Sequence, residues 1–155
     1  MAVELTREQQ AVVSTRGGQL LVSAAAGSGK TFVLVQRLLD RVLREGLNVD
    51  QFLMITFTKA AAAELRSRIA LELSSRLAQD PGDRHLRRQA TLVYRAQIST
   101  IHSFCLSILQ SYYYIIGCTA RQIATIADNA QTQRFQQQAM ANTLRLQQGE
   151  ALNAL

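Results

Sequence analysis

Six small residues run into a lysine and a threonine at Ala24-Ala25-Ala26-Gly27-Ser28-Gly29-Lys30-Thr31. This is the pattern of a phosphate-binding loop, with Ala24 where the first glycine of the pattern stands. Small residues let the backbone wrap, so that its N–H groups and the start of a following helix point at phosphate oxygens. Lys30 then reaches the β- and γ-phosphates as a point charge, and the Thr31 hydroxyl is placed to ligate Mg²⁺. A second group, Thr56-Phe57-Thr58-Lys59, combines an aromatic with hydroxyls and a cation. An aromatic at the end of a strand can stack on a nucleobase whatever its sequence, although core packing is the commoner fate of such a phenylalanine. A third group, Ser99-Thr100-Ile101-His102-Ser103, sets hydroxyls and an imidazole at a helix start. His102 as a catalytic base is disfavoured, because no nucleophile or carboxylate partner is evident beside it.

These groups need elements to hold them. Residues 5–13 read as a short helix entered from Thr6, whose hydroxyl can cap the free N–H groups of its first turn. Gly17-Gly18 ends that segment, and residues 19–23 read as a short buried strand leading into the glycine loop. Residues 30–44 are an amphipathic helix with Val33, Leu34, Leu38, Val42 and Leu43 at helical spacing and Gly46 as its stop. Residues 52–57 read as a second buried strand, 59–78 as a helix with Leu65, Ile69, Leu73 and Leu77 one turn apart, and 80–83 as a turn. A helix over 84–95, a third strand over 97–100 and a helix over 102–116 complete the pattern. Strands alternating with helices of this length predict an α/β fold with a parallel sheet. After Gly117 the texture changes: residues 121–155 hold eight Gln, three Arg and two acids, and read as one or two polar helices.

The chain has 155 residues, of which 48% are hydrophobic and 18% charged, so it can bury a core and is not of disordered composition. No apolar run is long enough to span a bilayer, and the charged start MAVELTREQQ does not suit a secretory signal. Two cysteines, Cys105 and Cys118, make neither a disulfide framework nor a zinc site. A cytoplasmic protein is expected. The net charge is +6 with only two lysines, Lys30 and Lys59, so nearly all the basic residues are arginine. Seven of them fall between Arg66 and Arg95 against three acids. Arginine suits phosphate recognition, but a solvated helix face has the same composition. The three tyrosines Tyr112, Tyr113 and Tyr114 cannot all face one strand of nucleic acid, Cys105 reads as a buried small hydrophobe, and His85 as a surface residue.

The order and separation of the groups over residues 5–116 resemble the superfamily-one, UvrD-like DNA helicases, and within them the AddA branch of helicase–nucleases. The marks of that branch are VSAAAGSGKT, DPGDRHLRRQ, and ISTIHSFCLSIL followed by QSYYY. The resemblance implies a RecA-like P-loop domain over 1–116 and the start of a helical insertion over 117–155. It implies ATP and Mg²⁺ as ligands, single- and double-stranded DNA as partners, and a partner subunit of the AddB type. Gln9, in LTREQQAV, matches the glutamine that reads adenine, a task its paired donor and acceptor suit. Ala24, Ala25, Ala26, Gly27, Ser28, Gly29, Lys30 and Thr31 match the nucleotide loop, where alanine at the first position is usual in the family. Thr56, Phe57, Thr58 and Lys59, with Ala61, Ala62 and Glu64, match a motif that touches single-stranded DNA. Ser99, Thr100, His102 and Ser103 match another, and Lys59 and Arg66 could lie near backbone phosphates or be solvated charges.

Hydrolysis also needs an acid that holds Mg²⁺ and a residue that orients water. Only Asp128, in IATIADNA, follows an apolar run, and Asn129 stands where the family's second acid belongs, so Asp128 reads as structural. The chain is therefore expected to be the front of a motor domain that neither hydrolyses ATP nor unwinds DNA on its own. Two rivals stand beside this reading. One is a small self-sufficient P-loop enzyme such as a nucleotide kinase, and the other is an inert truncated fragment that binds nucleic acid or nothing.

Overall fold

A computed structural model describes residues 4–123 and 129–152. The residues up to Cys105 form one compact unit and those from Leu106 onward a second. The first unit opens with helix α1 (Arg7–Ser14), entered through a capping box. The Gln9 N–H donates to Thr6 Oγ1 at 3.2 Å, and the Thr6 N–H donates to Gln9 Oε1 at 3.0 Å. Helix α2 (Lys30–Arg44) follows the glycine loop and buries Val35, Leu38, Leu39 and Val42 on one face and Val33 on the opposite one. A single 3-10 turn at Val49–Gln51 leads into strand β1 (Leu53–Thr56). Helix α3 (Lys59–Gln79) and helix α4 (Arg84–Leu92) then cross back to strand β2 (Gln97–Thr100).

Strands β1 and β2 run parallel, with Leu53 opposite Gln97 and Thr56 opposite Thr100. The α/β character and the parallel pairing are thus as the sequence predicts. The core gathers Leu38, Leu39 and Val42 of α2, Val49, Met54 of β1, Leu65, Ile69 and Leu73 of α3, and Val93 and Ile98 around β2. Asp83 caps α4, its carboxylate accepting from the N–H groups of His85 and Leu86 at 2.7 and 3.0 Å. The ends of α3 and α4 lie close to their expected places, and α4 stops at Leu92 rather than Arg95.

One expectation fails. Residues 19–23 form no strand and no strand hydrogen bonds, and Leu21 is 95% exposed. A parallel strand exists only through a neighbour, and β1 and β2 pair with each other. The apolar composition of the segment is right for a buried strand, but among the described residues nothing covers it. For the same reason β1 is buried on one face only, with Met54 inside and Leu53 and Ile55 exposed.

Two polar knots stabilise the unit. Fully buried Gln89, 0% exposed, accepts from the Val49 N–H at 2.9 Å and donates to Asn48 Oδ1 at 2.8 Å. His85 is half-buried rather than a surface residue, with Nε2 2.9 Å from the Val42 carbonyl. On the other side Arg16 pairs with Asp40 and Glu45, tying the end of α1 to α2. The hydrogen bond to Asp40, the largest influence, holds the Arg16 guanidinium above its usual range.

Helix α5 (Ile101–Tyr112) passes from the first unit into the second. In the second unit helix α6 (Ala120–Ile123) and the long helix α7 (Asn129–Leu152) follow, and Phe135, Met140 and Leu144 are exposed on α7. Tyr113 and Tyr114 meet edge to face with centroids 6.0 Å apart, and Tyr112 and Tyr114 are exposed. Cys105 is exposed, not buried as its residue type suggests. Asp128 lies outside the described residues.

Candidate nucleotide and nucleic-acid site

The glycine loop takes its shape from local rules. Gly27 and Gly29 sit at φ 78° and 83°, the left-handed region that costs glycine little and other residues much. Among the described residues only glycines have positive φ, which is why alanine can stand at Ala24. The Ser28 N–H donates to the Ala25 carbonyl at 3.3 Å, closing the turn, and Gly29 caps α2 through its carbonyl, which accepts from Val33 at 2.9 Å. Lys30 and Thr31 therefore open the helix, where free N–H groups and the helix dipole favour an anion. Thr31 is exposed, and Lys30 Nζ donates to the carbonyls of Ala24 and Ala25 at 2.9 and 2.7 Å. The lysine is thus folded over the loop that precedes it.

Gln9 comes to the same place from the other side of the sequence. Its Nε2 donates to the Ser28 carbonyl at 3.3 Å, and a side chain at Gly29 would meet that nitrogen at 3.5 Å. An amide offers two donor hydrogens and two acceptor lone pairs. One of each is engaged with Ser28 and Thr6, which leaves one donor and one acceptor. An open cleft of about 680 Å³ lies between α1, the loop and α2. Its walls are Val12, Leu20, Val22, Val33 and Leu34, and its polar end holds Gln9, Ser28 and Lys30. An apolar cleft of this size with a few convergent polar groups is the usual form of a small-molecule site.

Arg37 also lines the cleft and donates to the Val12 carbonyl. Burial pushes its guanidinium below the usual range and nearby Arg41 and Arg16 add to this, yet arginine stays charged at any pH the fold meets. Sequence reasoning missed it. The signal was present, because Lys30, Val33, Leu34 and Arg37 fall on one face of α2.

The second set of residues gathers at the carboxyl end of the two strands. Thr56 Oγ1 donates to the Thr58 carbonyl at 3.0 Å, and Thr58 Oγ1 accepts from the Ala61 N–H at 3.0 Å, capping α3. Phe57 lies between them and is 103% exposed, so core packing does not account for it. Opposite Thr56, Thr100 is buried; its hydroxyl lies 3.0 Å from Ser103 Oγ and accepts from the Ser103 N–H at 3.3 Å, so it caps α5. Ser99 Oγ accepts from Gln97 Nε2 at 3.3 Å, and His102 and Lys59 are exposed. Phe57, Lys59 and His102 are the groups presented outward, while Thr58 and Thr100 hold helix starts.

Arg66 is not a solvated charge but is held inside the fold. Its guanidinium reaches across to the segment entering β2 and donates to the carbonyls of Val93 at 2.9 Å, Tyr94 at 3.3 Å, Ala96 at 3.1 Å and Ile98 at 2.9 Å. Four acceptors for one fork is the geometry arginine serves and lysine cannot.

An α/β unit with a glycine loop at a helix start and a cleft beside it belongs to the class of nucleotide-binding architectures. The profile of the UvrD/REP helicase N-terminal domain matches residues 5–154, and the chain belongs to that family. It is 50% identical over 119 residues, 76% of this chain, to the A subunit of an ATP-dependent helicase/nuclease from Exiguobacterium sibiricum, of which it covers 10%. It is 41% identical over 150 residues, 96% of the chain, to the protein of that name from Geobacillus thermodenitrificans, covering 12% of it. The Bacillus cytotoxicus protein of the same name is 40% identical over 152 residues, 97% of the chain and 12% of that protein. The chain spans about a tenth of the length of these curated relatives.

Proposed function

We propose that this chain is the ATP-binding and single-strand-contacting front of a RecA-like DNA helicase motor, part of an AddA-type helicase–nuclease that works with an AddB-type partner in double-strand-break repair. The observation that carries the reading is the meeting of Gln9 with the glycine loop in one cleft, 19 residues apart in sequence and joined by the Gln9–Ser28 hydrogen bond. The residues suit ATP with Mg²⁺: loop N–H groups and Lys30 for the phosphates, the exposed Thr31 hydroxyl for the metal, and the free donor and acceptor of Gln9 for adenine. When bound, the triphosphate supplies the group whose hydrolysis drives the motor. Lys30 must exchange its bonds to Ala24 and Ala25 for phosphate oxygens, neutralising their charge. Phe57 stacks on a base, with Thr56, Thr58, Lys59, Ser99, Thr100 and His102 forming the rest of the strand-contacting end.

No acid follows β1 or β2, whose carboxyl ends read Thr56-Phe57-Thr58-Lys59 and Thr100-Ile101-His102. The chain alone is therefore proposed to bind nucleotide without turning it over. The test is titration with a fluorescent ATP analogue and Mg²⁺, with Lys30→Ala and Gln9→Ala alongside and ATPase measured with and without single-stranded DNA. Binding lost in Lys30→Ala and weakened in Gln9→Ala, without turnover, supports the reading. Vigorous turnover that ignores DNA would sink it in favour of a self-sufficient P-loop enzyme.

A further inference from the structure

The arginines of this chain divide into two groups. Arg16, Arg41, Arg44, Arg68 and Arg76 each pair with a carboxylate, and Arg37 and Arg66 donate to backbone carbonyls. Among the described residues the other eight pair with no carboxylate: Arg7, Arg121, Arg134 and Arg145 are scattered, while Arg84, Arg87, Arg88 and Arg95 lie close together in sequence, with Arg87 donating to the Pro81 carbonyl at 2.7 Å. The two acids of the preceding turn accept from backbone N–H groups, Asp83 as the α4 cap and Asp80 from Gly82 at 3.2 Å, and keep their charge, so residues 80–95 set four arginines against two carboxylates.

Three of these cations sit on α4 and the fourth, Arg95, in the turn after it. Leu86, Gln89 and Leu92 of α4 and the following Val93 are buried toward the core, while Arg84, Arg87, Arg88 and Arg95 are exposed. At about 100° per residue, Arg84, Arg87 and Arg88 fall within one sector of about 100° on α4, and Arg95 lies exposed in the turn that follows the helix. Tyr94, 72% exposed, sits next to them. The face has no acid within it. Like charges gathered without a neutralising partner repel, so a solvated face of this kind costs stability unless an anion meets it.

Its position sets it apart from the strand-contacting end. The turn after α4 feeds the amino end of β2, and Gln89 binds Asn48 and Val49 just before the amino end of β1. Phe57 and His102 follow the opposite, carboxyl ends of the same strands.

We infer that the outer face of α4 is a second nucleic-acid contact, a sequence-independent seat for a phosphodiester backbone separate from the Phe57 end. Guanidinium forks match phosphate oxygens two at a time, so four exposed arginines close together can grip a backbone. This rests on the DNA-binding reading above.

The test is binding of this chain to labelled single-stranded and duplex DNA across a salt series, comparing wild type, Phe57→Ala and the triple variant Arg84→Gln/Arg88→Gln/Arg95→Gln. Each lost phosphate contact lowers the slope of log affinity against log salt by about 0.9 on duplex and about 0.7 on a single strand. Loss of all three contacts is expected to lower the slope by about 2.7 on duplex or about 2.1 on a single strand, with Lys30-dependent nucleotide binding retained as evidence of an intact fold. A reduction on one form and none on the other identifies which form of DNA sits there. Phe57→Ala is expected to weaken single-strand binding at an unchanged slope. If wild type binds DNA and Phe57→Ala weakens it while the triple variant matches wild type, the second contact is overturned and an acidic protein surface becomes the candidate. If wild type binds no DNA, the DNA-binding reading falls and takes this inference with it.

Discussion

Two segments of the first unit do the same job, leading the chain into a functional group, and they are built in opposite ways. Residues 93–98 enter β2 under a clamp: Arg66 holds four of their carbonyls, and Val93, Ala96 and Ile98 are buried. Residues 19–29 enter α2 almost uncovered, and their shape is held by left-handed glycines, a closed turn, Lys30 and a single amide from Gln9. The first kind of order is made by tertiary packing and the second by backbone chemistry within a few residues. A mutation should therefore be felt as stability in one and as ligand affinity in the other.

The sharpest contrast comes from the clamped side. Ile69→Ala, at a fully buried position of α3, is expected to cost about 2–5 kcal/mol in urea unfolding. Arg66→Ala follows at about 2–4 kcal/mol, since bonds from a charged donor are each worth about 1.5–3 and this side chain is only half-buried. Arg66→Lys should recover only a minor part, and full recovery would show that charge rather than fork geometry matters. On the loop side Lys30→Ala should leave the urea midpoint in place while nucleotide affinity falls by about 10- to 100-fold, the equivalent of about 1.5–3 kcal/mol. Smallest of all, Leu21→Ser should move stability by no more than about 0.5 kcal/mol. A large loss there would mean that the segment is covered in solution, and the comparison would break.

The same contrast governs what can be read from sequence. The glycine loop, its helix and the Thr6 cap are legible because each depends on residue types a few positions apart. Residues 19–23 mislead because their apolar pattern specifies a preference for burial, not the neighbour that would supply it. Arg66 and His85 mislead for another reason. Both look like surface charges in a helix, and only the meeting of α3 with the β2 entry, or of α4 with Val42, gives them partners. Phe57 runs the other way: composition favours packing, and the turn between the Thr56 and Thr58 hydroxyls turns it outward.

The Arg66 clamp has a consequence for how this surface can change over generations. It grips carbonyl oxygens, which every amino acid carries, and no side chain of the segment it holds. The path of the backbone is thereby uncoupled from the identity of its outward residues. The clamp itself places no demand on the side chains of Tyr94 and Arg95, which are exposed. The path into β2 is therefore set by the one guanidinium and not by the residues it holds.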